Sequence, residues 1–353
     1  MNSPILVATP IDFTRWSPTQ RKLAELTARA VEPRVKIRLR LSDLTDMFHV
    51  FIDGQNGTTG LQIRDRLEEH PDIAVISIDE ERRKDHTAKQ AIISEADAVI
   101  LCLPDEAAIQ TAALIDEQIL IDASTAHRTH PDWTYGLPEL SPVQREHIRT
   151  NRRIANPGCY PTGFTLAIRP LIDQALLPRE TAIFVSALSG YSGGGKAMIE
   201  QYSGNDAAAC RPYAFDLNHK HLPEMAKFSG LESAPIFLPH VGNFYQGMLI
   251  EIGLKKSAFT KPMSSATICE AWQAAYACEP FIQIMEANPE DCLIERFLDP
   301  EAANGSNRVE LLCFESQTDL LLVARLDNLG KGAAGAAVQN LNIALGLSET
   351  TSL

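Results

Sequence analysis

The chain has 353 residues, 45% hydrophobic and 22% charged, with a formal net charge of −13. This is a globular composition rather than that of a disordered chain, and the acidic balance argues against nucleic-acid partners and anionic membrane surfaces. No run of about 18 apolar residues is present, so no membrane partner is expected, and the length fits two domains.

Residues 1–47 stand apart as an N-terminal extension. Pro4, Pro10, Pro18 and Pro33 interrupt it, and one short helix is predicted between Thr19 and Val31. The segment reads as a loosely attached arm or an over-long translation start, with a contact to another subunit as the alternative. It lacks the charged and apolar regions of a secretory signal. The seven cysteines form no CxxC pair, which reads as free thiols in a cytoplasmic protein with no metal site.

From Phe48 the pattern becomes βαβ. Strands are predicted at HVFID, IAVISI, AVILCL (98–103) and ILIDAS (119–124), with a helix at LQIRDRLEEH. That alternation predicts a parallel, doubly wound sheet over 48–155. After Asn156 the strands IFVSALSG, PIFLPHVG, GMLIEIGL, VELLCFES and DLLLVARLD dominate. They predict an α+β domain over 156–327 with a mixed or antiparallel sheet. A small-residue helix, KGAAGAAVQNLNIALGL, closes the chain within 328–348.

The segment Gly54-Gln55-Asn56-Gly57-Thr58-Thr59-Gly60 joins the first strand to the first helix. Its glycines permit a tight turn and close approach of backbone N–H groups to a pyrophosphate. Past the second strand two signals conflict. Asp79 stands where an acid favours the ribose hydroxyls of NAD, whereas Arg82, Arg83 and Lys84 form a cluster able to hold a 2′-phosphate. The cluster favours NADP(H).

In Asn156-Pro157-Gly158-Cys159-Tyr160-Pro161-Thr162, Pro-Gly predicts a sharp turn that places Cys159 at the start of a helix. The positive end of a helix dipole favours thiolate, the form that attacks acyl carbon. The other cysteines read as inert, with Cys102 inside a strand. His219 and His221 are the candidates for the acid/base partner. Ser189-Gly190-Tyr191-Ser192-Gly193-Gly194-Gly195-Lys196 offers backbone donors and a cation to an anion. Ala197 follows the lysine where a P-loop requires Ser or Thr, which disfavours ATP binding.

These blocks, with Leu103-Pro104, Asp122-Ala123-Ser124 and Arg128, YGLPEL, HKHLPE, Pro239-His240 and NLGKGAAG, resemble the N-acetyl-gamma-glutamyl-phosphate reductases of arginine biosynthesis, in their shorter form. The longer form has an aspartate–phenylalanine pair before the arginine; this chain has Ala126-His127. The resemblance covers roughly residues 48–348. It implies an α/β fold, with a Rossmann-type domain completed by the C-terminal helix and a semialdehyde dehydrogenase-like catalytic and dimerisation domain. It also implies a homo-oligomer, with Cys159 as the nucleophile assisted by His219 or His221. NADP(H) would be held by Gly54, Asn56, Gly57, Thr58, Thr59, Gly60, Arg82, Arg83, Ser192, Gly193 and Asn328. A small-molecule acyl phosphate would be held by Ser124, Arg128, Asn156 and Lys196. The rival readings are a related reductase of aspartyl phosphate or of a longer acetylated acyl phosphate, and a non-catalytic nucleotide sensor on the same fold.

Overall fold

In the computed structural model, which describes residues 47–82, 85–204 and 208–353, the chain builds two large sheets. The helix expected between Thr19 and Val31 lies outside the described residues. The first part comprises β1 (Phe48–Asp53), α1 (Thr58–Glu68), β2 (Ile73–Ile76), α2 (His86–Glu95), β3 (Ala98–Leu101), α3 (Asp105–Ala112), β4 (Ile119–Asp122), β5 (Thr134–Tyr135), α4 (Gln144–Thr150) and β6 (Arg153–Ala155). Its six strands are all parallel, in the order β2-β1-β3-β4-β6-β5. Helices cover the sheet, so β3 is buried along its whole length, and its sequence AVIL is a continuous apolar run.

The second part comprises α5 (Cys159–Asp173), β7 (Phe184–Gly190), α6 (Gly195–Tyr202), β8 (Cys210–Pro212), α7 (Leu222–Ser229), β9 (Ile236–Gly242), β10 (Met248–Lys255), α8 (Ser265–Tyr276), β11 (Ile282–Ile284), β12 (Leu293–Ile294), β13 (Phe297–Leu298), β14 (Val309–Glu315), β15 (Asp319–Leu326) and α9 (Gly335–Ala344). Seven of these strands form a mixed sheet, in the order β11-β14-β15-β10-β7-β9-β8, and β12 pairs with β13 as a separate hairpin.

Helix α5 fixes the position of the nucleophile candidate. Twelve of its fifteen residues are buried, as expected of a helix that is apolar nearly all round. It lies close on the second sheet at Gly163, where a Cβ would stand 2.7 Å from Ile250 and 3.0 Å from Ala324. The closing helix returns to the first sheet, with Ala337, Val338 and Leu341 packing in one core with Ile63, Leu67 and Ile100. It does not start as a regular helix at Lys331: Gly330–Ala334 forms a π-turn, and α9 begins at Gly335.

Cys102 is a correction. Strand β3 ends at Leu101, and Cys102 lies in the loop beyond it. The loops after β1 and β3 meet there, where a Cβ on Gly54 would stand 2.3 Å from the Cys102 carbonyl oxygen.

Candidate active site

A cavity of about 530 Å³ lies beyond the carboxyl ends of β1, β3, β4 and β6. The strand order reverses around β1, and this is where ligands bind in open α/β sheets. The first part lines the cavity with Gly57–Gly60, Cys102, Leu103, Ala123, Arg128 and Asn156. The second part contributes Cys159, Ser192, Gly193, Lys196, His219, Lys220, His221 and Asn328.

Three helices begin at the cavity wall with glycine as the N-cap and no side-chain capping bond: α1 at Gly57, α5 at Gly158 and α6 at Gly194. The first turn of α1 therefore keeps donor capacity at the positive end of its dipole; in α5 Pro161 leaves the Cys159 and Tyr160 N–H groups, and in α6 the Gly195 N–H is already given to the Ser192 carbonyl. In the β1–α1 loop, Gly54 has φ +91, and a Cβ on Gly60 would stand 2.4 Å from the Gly54 carbonyl oxygen. The Thr58 hydroxyl, in the first turn of α1, is buried without a hydrogen-bond partner among the described residues. This glycine-walled set of donors fits a dinucleotide pyrophosphate. Across the cavity, Asn328 donates from Nδ2 to Ser192 Oγ (3.0 Å) and accepts from the Gly247 N–H (2.8 Å), which fixes the rim.

Cys159 is the first residue of α5, as expected, but its thiol does not titrate low. Burial pushes it up to about 11, against the opposing pull of Arg128 and the Tyr160 N–H. The turn before it is held by Glu224, a buried carboxylate. Glu224 Oε1 accepts from the Gly158 N–H (2.7 Å) and the Tyr135 hydroxyl (2.7 Å), and Oε2 accepts from Arg128 Nη1 (3.1 Å). Arg128 is itself buried. It also donates from Nε to the Asn156 carbonyl (3.0 Å) and from Nη2 to the Ala123 carbonyl (3.1 Å). Among the described residues these three bonds use three of its five N–H groups, and two remain for a ligand.

A Cβ on Gly158 would stand 2.8 Å from His221 Nε2, so this imidazole lies against the residue preceding the nucleophile. His221 is buried, and its Nδ1 has no partner among the described residues. Burial, then the Arg128 charge, hold His221 well below the usual histidine range. His219 is half-buried and lowered to about 4, by burial first and then by Lys220. Its Nδ1 accepts from the His221 backbone N–H (3.1 Å).

Four expected residues are not brought to the cavity. Ser124 is tied to Asp122, with its N–H on Oδ1 (2.9 Å) and its hydroxyl on Oδ2 (2.6 Å). The same carboxylate holds His127 Nδ1 (2.6 Å), and His127 stacks on Trp133. Ser124 thus belongs to a buried cluster. Asn56 is exposed outside the cavity, and Gly54 shapes the turn rather than lining it. Arg82 is exposed and donates to Asp85 (3.2 Å), while Arg83 lies outside the described residues. The sequence reading missed Glu224. It stands three residues after His221, but nothing local shows that its carboxylate reaches Gly158, 66 residues earlier.

Residues 49–150 match the semialdehyde dehydrogenase NAD binding domain, and residues 159–328 match the semialdehyde dehydrogenase dimerisation domain. Solved structures agree. Aspartate semialdehyde dehydrogenase II from Vibrio cholerae superposes with a TM-score of 0.64 at 16% identity, covering 86% of this chain and 99% of that one. The enzyme from Francisella tularensis gives 0.64 at 16% identity, over 84% and 99%. Fold and domain matches together define an oxidoreductase of the semialdehyde dehydrogenase class.

Curated relatives narrow this. The N-acetyl-gamma-glutamyl-phosphate reductase of Trichormus variabilis is 46% identical over 317 residues, covering 86% of this chain and 98% of its own. That of Mesorhizobium japonicum is 43% identical over 312 residues, covering 84% and 99%. The chain belongs to the N-acetyl-gamma-glutamyl-phosphate reductase family.

Proposed function

We propose that this chain reduces N-acetyl-glutamyl 5-phosphate to N-acetyl-glutamate 5-semialdehyde and phosphate with NADPH, through a thioester on Cys159. The observation that carries this reading is the placement of Cys159 in one cavity with the Gly57–Gly60 loop and His221. Residues 48–155 with the C-terminal helix would serve the nucleotide, and 156–327 the substrate and assembly.

His221 is the acid/base group, because its Nε2 lies beside the nucleophile turn and its ring is held neutral. Burial favours the protonated thiol, so attack needs a base that takes its proton. His221 takes the Sγ proton as sulfur bonds to the acyl carbon, then passes it to the departing phosphate oxygen. The C–O bond to phosphate breaks and the thioester remains. Bound NADPH supplies the hydride that reduces the acyl carbon. Collapse of the resulting thiohemiacetal oxyanion breaks the C–S bond and releases the aldehyde. The sulfur regains a proton from solvent through His221.

His219 orients His221 through the backbone bond. The first-turn N–H groups of α5 face the developing oxyanion, and Lys196 with the two remaining Arg128 N–H groups receives the phosphate or carboxylate. The cofactor rests on Gly57–Gly60 and the Ser192, Gly193 and Asn328 rim. Assembly as a homo-oligomer is supported by the open face of the second sheet, where Ile236, Phe184, Gly253 and Leu321 form one row in register and the three large apolar side chains are exposed. Among the described residues no helix is long and apolar enough to cross a membrane, and all seven cysteines are free, in keeping with a cytoplasmic setting.

The test is the reverse reaction. Purified protein with N-acetyl-glutamate semialdehyde should reduce NADP in a phosphate-dependent manner, and faster than it reduces NAD. A signal with aspartate semialdehyde alone would keep the chemistry and reassign the substrate; silence with both would overturn the reading.

A further inference from the structure

Lys331 is wholly buried, yet it does not line the cavity. Its Nζ donates to both carboxylate oxygens of Glu139, at 2.7 and 2.9 Å, and to Gln339 Oε1. Gln339 donates in turn to Glu139 Oε1 (2.9 Å) and Glu349 Oε1 (2.8 Å). Arg145 continues the network to Glu349 (2.8 Å) and Glu279 (2.9 Å). Glu139 and Arg145 come from the first-sheet part, Glu279 from the turn after α8, and the rest from the C-terminal segment, so the network fastens all three together.

The opposite side of the same turn meets the nucleophile. A Cβ on Gly332 would stand 2.8 Å from Cys159 Cβ, so the turn lies directly on the cysteine. One residue later, the Ala333 carbonyl accepts from Asn156 Nδ2 (2.9 Å). On the far side Gly330 is equally confined, since a Cβ there would stand 2.4 Å from the Ser306 carbonyl oxygen. The π-turn Gly330–Ala334 thus has a buried ion pair behind it and the reactive cysteine in front. A buried ion pair contributes little net stability compared with apolar residues of the same volume, but it holds one geometry.

We propose that Lys331 is a positioning residue: its ion pair with Glu139 presses the Gly330–Ala334 turn onto Cys159 and fixes where the sulfur points. This rests on Cys159 being the nucleophile. The test is the double variant Lys331→Met/Glu139→Leu, which removes both charges and keeps apolar volume. It is measured beside the wild type for kcat, KM and thermal melting, and for the rate of iodoacetamide labelling of Cys159 resolved by peptide mass spectrometry.

The expected result is a folded protein whose kcat falls about a hundredfold while KM stays within about twofold. The Cys159 labelling rate should shift about tenfold, because a displaced thiol has a different environment. Should the double variant fail to fold, Glu139→Gln keeps the side-chain shape and one acceptor oxygen for Lys331, removes the charge and turns the other acceptor into a donor, and carries the same expectation at about tenfold in kcat. Wild-type kcat and labelling in a folded variant, with at most a lower melting temperature, would reduce Lys331 to a structural residue and overturn the proposal. An inactive wild type would instead count against the proposed reaction, and labelling alone would then decide the positioning role.

Discussion

Two helices that follow strands of the first sheet begin in opposite ways. Helix α2 starts at Asp85, whose Oδ1 accepts from the N–H groups of Thr87 (2.9 Å) and Ala88 (3.4 Å). Helix α1 starts at Gly57 with no side-chain cap, at the cavity wall. Helix α8, capped by Ser264 through the Thr267 N–H (3.2 Å), resembles α2; α5 and α6, which open at the cavity from Gly158 and Gly194, resemble α1. A helix capped by its own side chain has satisfied one or two of its orphan donors. One that begins on glycine at a cavity wall keeps them, with the positive end of its dipole, for an anion. Both ligands of the proposed reaction carry phosphate.

The largest loss is expected at Cys159. Cys159→Ser places a poor nucleophile at the same helix start, and turnover should fall on the order of 10⁴-fold while NADPH binding persists. A serine variant with near-wild-type turnover would remove the covalent mechanism. Glu224→Gln comes next, because Glu224 holds the Gly158 N–H that opens α5. It should lower kcat about a hundredfold. It should also cost about 3–5 kcal/mol in a denaturant titration, since Arg128 is left buried without its counter-charge. Gly57→Ser gives α1 the cap it lacks. NADPH affinity should drop about tenfold while stability changes by less than about 0.5 kcal/mol. Unchanged affinity in a direct binding titration would detach that helix start from the cofactor.

The histidines give a pH signature. His219 is lowered to about 4 and His221 is also held well below the ordinary histidine range, both chiefly by burial. Each is held neutral in the fold, so the stability they contribute is present above the ordinary histidine range near 6.5 and is lost as pH falls through the folded value. Melting temperature should decline from pH 6.5 toward pH 4, and His219→Gln should flatten part of that decline. The smallest effect belongs to the self-capped class: Ser264→Ala should cost about 1 kcal/mol and leave kcat unchanged.

Much of this molecule was written locally. The apolar run AVIL, the strand–glycine–helix order at Gly54–Gly60 and the Pro-Gly turn before Cys159 each depend on neighbours within a few residues. Backbone sterics and hydrophobic periodicity therefore made two sheets, a nucleotide loop and a cysteine at a helix start legible in the sequence. The thiol's titration was not legible in the same way. A helix start predicts a lowered value, but burial is a property of the whole fold, and at Cys159 it outweighs the Arg128 charge and the first-turn N–H groups. Ser124 illustrates the same limit: it stands in a family-like block, yet the packing of Asp122 and His127 binds it inside the protein. Only the tertiary structure could show that Glu224 reaches Gly158 across 66 residues, or that Lys331 finds Glu139 across 192. Local rules decide what the backbone does at each point, whereas desolvation and charge pairing depend on which distant segments the closed fold brings together.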